Sequence, residues 1–257
     1  MNIYRWDGSE FVQVPGSLDQ IAIGSFEGRA VWGINANSDI FKFDPDSGSF
    51  KQVEGKLTTI SVGDVDAIWG INANSDIFRF DPASGSFKQV QGKLTSISVS
   101  DASSIWGINA NSDIFRFDPV SGSFKQVQGK LTSISAGATD GGTWGINANS
   151  DIFRFDPASG FFKQVQGKLT SIYGGDSPSA WGLNDAQDIF VFQGQSFVQV
   201  PGKLVLMAVW NGFQWGINAS LHVFERGVTE TEGAFLQVPG QLRKIAVDQE
   251  GFAWGLN

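Results

Sequence analysis

"WGINANSDIFRFDP" stands at residues 69–82 and returns unchanged at 106–119 and 144–157. It stands once more at 32–45, with Lys42 in place of the arginine. Its opening, Trp-Gly followed by Ile or Leu and then Asn, occurs seven times, starting at Trp32, Trp69, Trp106, Trp144, Trp181, Trp215 and Trp254. The intervals are 37, 37, 38, 37, 34 and 39 residues, and a fixed period in this range signals an array of small supersecondary units.

One unit can be read from residues 57–93. "LTTISVG" is followed by a variable loop, "AIWGIN", the turn "ANS", "DIFRFD", the turn "PASG" and "SFKQV", with "QGK" leading to the next unit. The four apolar segments are short, rich in Ile, Val, Phe and Thr, and bounded by Gly, Pro, Asn or Ser, the pattern of strands and not of helices. Four antiparallel strands in about 37 residues make a propeller blade. WD and kelch repeats have similar lengths, but neither a Gly-His…Trp-Asp pair nor a Gly-Gly doublet recurs in register here.

The ends decide the count. "FxQVxGxL" occurs seven times, at Phe11, Phe50, Phe87, Phe124, Phe162, Phe197 and Phe235. The chain begins halfway through a unit and stops halfway through one, so residues 242–257 and 3–14 together complete a blade. Such sharing removes the exposed sheet edges of an open array. The expectation is an all-β, seven-bladed β-propeller of four-stranded antiparallel blades, its last blade shared between N- and C-terminal strands, in one domain over 1–257. An open solenoid would need divergent polar caps, whereas these half-units complement each other.

Composition narrows the function. A formal charge of −8 and a pI near 4.6 repel phosphate backbones and anionic lipid, which argues against nucleic-acid partners. The longest apolar run, "LVLMAVW" at 204–210, is too short for membrane insertion. The start shows no secretory signal, so synthesis in the cytoplasm is expected, with release by a non-classical route and homo-oligomer formation left open. With no Cys and one His, nucleophilic triads and His- or thiolate-ligated metal sites are nearly excluded. No cofactor, no metal and no catalytic residue is expected. "DPDSG" at 44–48 looks like the start of a calcium loop, but it lacks a downstream bidentate Glu.

Candidate binding residues cluster in the second-to-third turn: Asn35, Asn37 and Asp39; Asn72, Asn74 and Asp76; Asn109, Asn111 and Asp113; Asn147, Asn149 and Asp151. "NDAQD" keeps Asn184 and Asp188. The first Asn of each set can cap its own turn. The second Asn and the Asp are lost in "NASLHVF" at 218–224, read as a shorter turn, which favours a ligand role over a structural one. Amides and carboxylates beside aromatic rings suit neutral polyhydroxylated ligands. The Phe of "FxQV" reads as core, and the tryptophans read first as filler between blades. Trp32, Trp69, Trp106, Trp144 and Trp181 are also possible aromatic walls of a site. Glycosidase chemistry needs one asymmetric carboxylate pair in a shared pocket, not the same Asp in unit after unit, so repetition favours binding over catalysis.

In combination, Leu-x-x-Ile-Ser-Val-Gly, Trp-Gly-Ile-Asn, Ile-Phe-Arg and Phe-Lys-Gln-Val-x-Gly-Lys-Leu resemble the tectonin repeat along the whole chain, most clearly over 32–202. The resemblance is closest to fungal tectonins and implies a non-enzymatic β-propeller lectin in innate defence. Its implied partners are glycans of bacterial or nematode surfaces, with O-methylated fucose or mannose as the ligand class. The alternative is a protein-interaction scaffold using the variable loops "SFEGR" (25–29), "DVDA" (64–67), "DASS" (101–104), "ATDGG" (138–142) and "DSPS" (176–179).

Overall fold

The computed structural model describes residues 1–257 except 25–29, 138–139, 176–178, 211, 227–233 and 249. Its strands form seven four-stranded antiparallel sheets. Blade I runs from the inside outward through Gln20–Ile23, Val31–Ile34, Asp39–Asp44 and Ser49–Lys56. Blades II to VI repeat this over 59–93, 96–130, 133–168, 171–203 and 206–241. Blade VII is the shared one: inner strands Lys244–Val247 and Ala253–Leu256 pair with outer strands Asn2–Trp6 and Phe11–Ser17. The seam is a ladder pairing Ile3 with Leu256, Tyr4 with Gly255 and Arg5 with Trp254. The innermost strand of blade VII touches those of blades VI and I, so the ring closes.

Two parts of the repeat explain each other. A Cβ built on Gly70, Gly107 or Gly145 would lie 2.4, 2.3 or 2.3 Å from the Cδ1 of Leu57, Leu94 or Leu131. Gly33, Gly182, Gly216 and Gly255 stand in the same way to Leu18, Leu169, Leu204 and Leu242. Each leucine, 1–2% exposed, fills the notch that the missing side chain leaves, so the Gly of Trp-Gly serves close approach. Burying one such leucine contributes about 1.5–3 kcal/mol.

The tryptophans link blades. Trp32 meets the edges of Phe80 and Phe87 in the next blade at 4.8 and 5.8 Å. Trp69 meets Phe117 and Phe124, and Trp106 meets Phe155 and Phe162. At the seam Trp254 packs on Phe43 and Phe50, and Trp215 packs on Trp6 and Phe11. Edge-on aromatic pairs of this kind add about 0.5–1.5 kcal/mol beyond area burial. A cation covers the ring from its cross-strand position: Lys42 over Trp32, Arg79 over Trp69, Arg116 over Trp106 and Arg154 over Trp144, at 5.4–5.7 Å. Opposite Trp181 stands Val191, and there Arg226 of blade VI covers the ring at 5.1 Å.

The "QGK" segment, expected as a connection, lies inside the fourth strand. Gly92 has φ +128°, a conformation that L side chains rarely adopt. The register shifts there by a β-bulge, which sets Lys93 opposite Asp76. The same bulge places Lys56 opposite Asp39, Lys130 opposite Asp113 and Lys168 opposite Asp151. Asp44, in the sequence with a calcium-like start, instead holds its hairpin: its carboxylate accepts from Ser47 Oγ and the Asp46 N–H and pairs with Lys51. Among the described residues no helix is long and apolar enough to cross a membrane.

Candidate binding clefts between blades

The second-to-third turn is built around its first asparagine. Asn72 Oδ1 accepts the N–H groups of Asn74 and Asp76, each at 2.9 Å, and its Nδ2 donates to Asp76 Oδ2 at 3.2 Å. Ser75 adopts φ 62° to complete the turn. Lys93 Nζ then donates to Asp76 Oδ1 at 2.7 Å and to the Asn74 carbonyl at 2.8 Å. The same network recurs around Asn35, Asn109 and Asn147. In blade V, Asn184 bonds Asp188, and Lys203 reaches Asp188 and the Ala186 carbonyl.

The candidate residues therefore separate into two groups. Asn35, Asn72, Asn109, Asn147 and Asn184 cap their turns, as expected for the first position. Asp39, Asp76, Asp113, Asp151 and Asp188 are engaged by the bulge lysine and the capping amide. Hydrogen bonding from that lysine, then from the asparagine, holds each carboxyl below the usual aspartate range. Asn37, Asn74, Asn111 and Asn149 are exposed, and only their backbones enter the network. Their amides are the ones presented to solvent.

Two expectations need correction. "NASLHVF" is not a shorter turn: Asn218 Oδ1 accepts the N–H groups of Ser220 and His222, each at 3.0 Å, and Leu221 takes φ 67° where Ser75 has 62°. What changes is chemistry, because His222 faces Gln241 where Asp76 faces Lys93. In blade VII the chain ends meet at this place, Asn2 and Asn257 exchanging backbone hydrogen bonds at 2.8 and 3.1 Å. The second correction concerns the aromatic walls. Trp32, Trp69, Trp106, Trp144 and Trp181 are 0–4% exposed, each plugged between its own cation or the next blade's and the next blade's phenylalanines. They fill the space between blades and present no open wall.

Open space lies between neighbouring units. A cleft of about 340 Å³ is lined by Ser75 and Lys93 of blade II, by Leu94 and Thr95, which follow that lysine and lead into blade III, and by Asn109, Ala110 and Asn111 of blade III. One of about 370 Å³ repeats it, with Asn111, Ser112, Lys130, Leu131 and Thr132 facing Asn147, Ala148 and Asn149. On the I–II boundary a hollow of about 480 Å³ joins Glu54, Gly55, Lys56 and Leu57 to Asn72, Phe78 and Phe87. These volumes fall within the range of small-ligand sites, roughly 300–1,000 Å³. Each cleft offers amide donors and acceptors, a hydroxyl and an apolar floor. Phe87, read from sequence as core, is half-buried and lines this hollow while its edge meets Trp32.

Reading each turn alone missed the half of the cleft given by the preceding unit. The signal was present: Gly-Lys-Leu-Thr recurs at 55–58, 92–95, 129–132 and 167–170, and its Leu alone would not require the flanking Lys and Thr. Of the variable loops, 64–67 and 101–104 are described; 25–29 lies outside the described residues, as do parts of 138–142 and 176–179. Val65, in the first of these, is 41% exposed.

No curated protein matches the chain. In fold it is similar to Prp20p of Saccharomyces cerevisiae, with TM-score 0.79 and 7% identity over 100% of this chain and 91% of that one. Human WBSCR16 is similar at TM-score 0.72 and 9% identity over 99% and 97%. YCF48 of Cyanidioschyzon merolae is similar at TM-score 0.69 and 9% identity over 100% and 99%. At such identities the likeness is one of fold. The model of the Tectonin domain, in contrast, matches residues 1–120, 48–190 and 171–257. With seven Trp-Gly units in a closed ring, the chain belongs to the tectonin family.

Proposed function

We propose that this protein is a multivalent, non-catalytic carbohydrate-binding propeller whose sites are the clefts between adjacent blades. The observation that carries the reading is the recurrence of one cleft, the turn Ser and bulge Lys of one blade against the Asn-Ala-Asn of the next, with Leu-Thr between them. Its ion pairs are internally matched, Lys93 on Asp76 and Lys130 on Asp113, so the cleft favours a neutral ligand. Asn111 supplies an amide group for hydroxyls, and exposed Ala110 supplies apolar surface for a methyl substituent. O-methylated fucose or mannose of bacterial or nematode surfaces fits that combination, and defence is the role it suggests. The Asp carboxyls are held low by lysine, the opposite of what a general acid requires.

Weak single sites on a rigid ring gain roughly 10²–10⁴-fold in avidity on a clustered glycan. A glycan array carrying O-methylated fucose and mannose tests this: retention is expected on the methylated sugars, and no retention on any glycan would refute the reading. The second reading is a protein-interaction scaffold. Prp20p, whose structure was described together with its binding to Gsp1p and histones, shares the ring, and Val65 is exposed in a variable loop. Replacing 64–67 by Gly-Ser would abolish such binding and leave glycan retention intact.

A further inference from the structure

A cleft of about 490 Å³ belongs to none of these sites. It lies at the seam, lined by Arg5, Trp6, Asp7, Glu250, Phe252 and Trp254 of blade VII and by Phe43 of blade I. Its walls come from the third-to-fourth hairpins and the first-to-second connection, so it opens on the face opposite the Asn-x-Asn-Ser turns. Its rim includes a hairpin shorter than those of blades I to IV. Trp6 and Phe11 are five residues apart, where the equivalent Phe80 and Phe87 are seven apart, so the blade VII hairpin is two residues shorter.

The lining is chemically different from that of the inter-blade clefts. Phe252 leaves 46% of its surface exposed, a large open ring in a chain that buries its repeat tryptophans. Asp7 accepts Ser9 N–H, Ser9 Oγ and Glu10 N–H, all on Oδ1, at 2.8–2.9 Å. Its Oδ2 is therefore available as an acceptor. Arg5, exposed and two residues away, brings only donors. The Arg5 guanidinium with the carboxylates of Asp7 and Glu250 offers donors and acceptors together. Aromatic surface next to them covers an apolar C–H face. A free anion would meet Asp7 and Glu250 on a protein of net charge −8, and a free cation would meet the Arg5 guanidinium. A neutral polyol with an apolar face matches both halves of the lining.

We propose that the seam cleft is a further carbohydrate subsite, facing away from the inter-blade clefts, in which a neutral pyranose lies against Phe252 between Arg5 and Asp7. This rests on the carbohydrate reading of the ring and extends it, since sites on both faces let one molecule bridge two glycan surfaces. The subsite is a composite of blades VII and I, so a bound sugar also spans the junction that closes the ring.

Nitrogen-15 NMR on the full chain tests it by titration with glucose, galactose, mannose, fucose, N-acetylglucosamine and the O-methylated forms. Sugars are taken to about 50 mM, well above a millimolar Kd. The seam reporters are the Trp6 indole and the Gly8 and Gly251 amides; the cleft reporters are the side-chain amides of Asn111 and Asn149. At least one sugar is expected to shift the seam reporters. In F252A that response should weaken about fivefold, as losing an aromatic contact of ~1 kcal/mol implies, with the cleft reporters unchanged. If only the cleft reporters respond, the seam proposal is wrong and the lectin reading stands. A response of the seam alone supports the subsite and overturns the inter-blade clefts. Silence of both sets overturns both. A seam response equally strong in F252A also sinks the proposal.

Discussion

Leu94 occupies the space that a side chain on Gly107 would need. The built Cβ lies 2.3 Å from Leu94 Cδ1 and 3.0 Å from the Ser96 carbonyl oxygen. G107A should therefore overpack the blade and cost about 1–3 kcal/mol, and L94A should cost about 2–5 kcal/mol through the cavity it leaves. In the double variant the new methyl enters the vacated space, so its cost should be smaller than the sum. Urea unfolding of the four proteins measures this; strict additivity would show that the two residues do not share the notch.

Ring closure rests on strands from opposite ends of the sequence. Ile3 is fully buried beside Trp254 and Leu256, and Trp6 and Phe11 pack against Trp215. Deleting residues 1–17 removes two strands of blade VII and bares the second strand as an edge, which invites association with other chains. The expected result is a lower thermal midpoint together with concentration-dependent aggregation in light scattering. A truncated chain that melts with the full-length protein and stays monomeric would mean that the seam contributes nothing.

The architecture was legible because its cause is repetition: Trp-Gly and Phe-x-Gln-Val-x-Gly-x-Leu mark strand positions seven times over, and the half-units at the ends specify the shared blade. Asn72 was legible as a turn cap because an asparagine two and four residues before the N–H groups it accepts needs no partner from elsewhere. Asp76 was harder, since its partner Lys93 lies 17 residues on and comes opposite it through a bulge at Gly92. The cleft was hidden for a different reason. It forms between Lys93 of one blade and Asn111 of the next, and only the packing of neighbouring blades brings those two together. Trp69 misled as a wall because a residue present in every unit can serve the core or a ligand. Arg79 over its ring and Phe117 at its edge decide for the core.

The turn carboxylates give acid sensitivity a definite sign. Lysine and asparagine hydrogen bonds depress the folded pKa values of Asp39, Asp76, Asp113, Asp151 and Asp188, and Asp44 and Asp156 fall to about 2, held mainly by Lys51 and Lys163. The stabilisation is complete above the unfolded value near 3.9 and is lost as pH falls through the depressed folded values. Thermal midpoints should hold above about pH 4 and decline below it, with the decline shallower in D76N. Carbon-13 titration of the carboxyls in K93M should show Asp76 moving up toward the ordinary range. An unmoved Asp76 there would rule out Lys93 as the main cause.

Asn111 borders two clefts at once, standing opposite Lys93 and Thr95 on one side and beside Ser112 and Thr132 on the other. This changes the count expected of the repeated turn. If each turn were a site by itself, the four complete turns and "NDAQD" would take four or five ligands, and N111A would remove one. If the site is the boundary between units, the complete sets are Lys56-Leu57-Thr58 with Asn72-Ala73-Asn74, Lys93-Leu94-Thr95 with Asn109-Ala110-Asn111, and Lys130-Leu131-Thr132 with Asn147-Ala148-Asn149. Three strong ligands per chain are then expected. The boundaries at Asn35, which faces Ser17 and Asp19, and at Asn184, followed by Asp185 in place of Ala, should bind more weakly. N111A, a surface change of small cost to folding, should lose two strong sites together. T95W, at an exposed position of one boundary only, should block a single site. Calorimetric titration with a methylated monosaccharide counts ligands in all three proteins. Loss of one site in N111A, or of two in T95W, would return the site to the isolated turn.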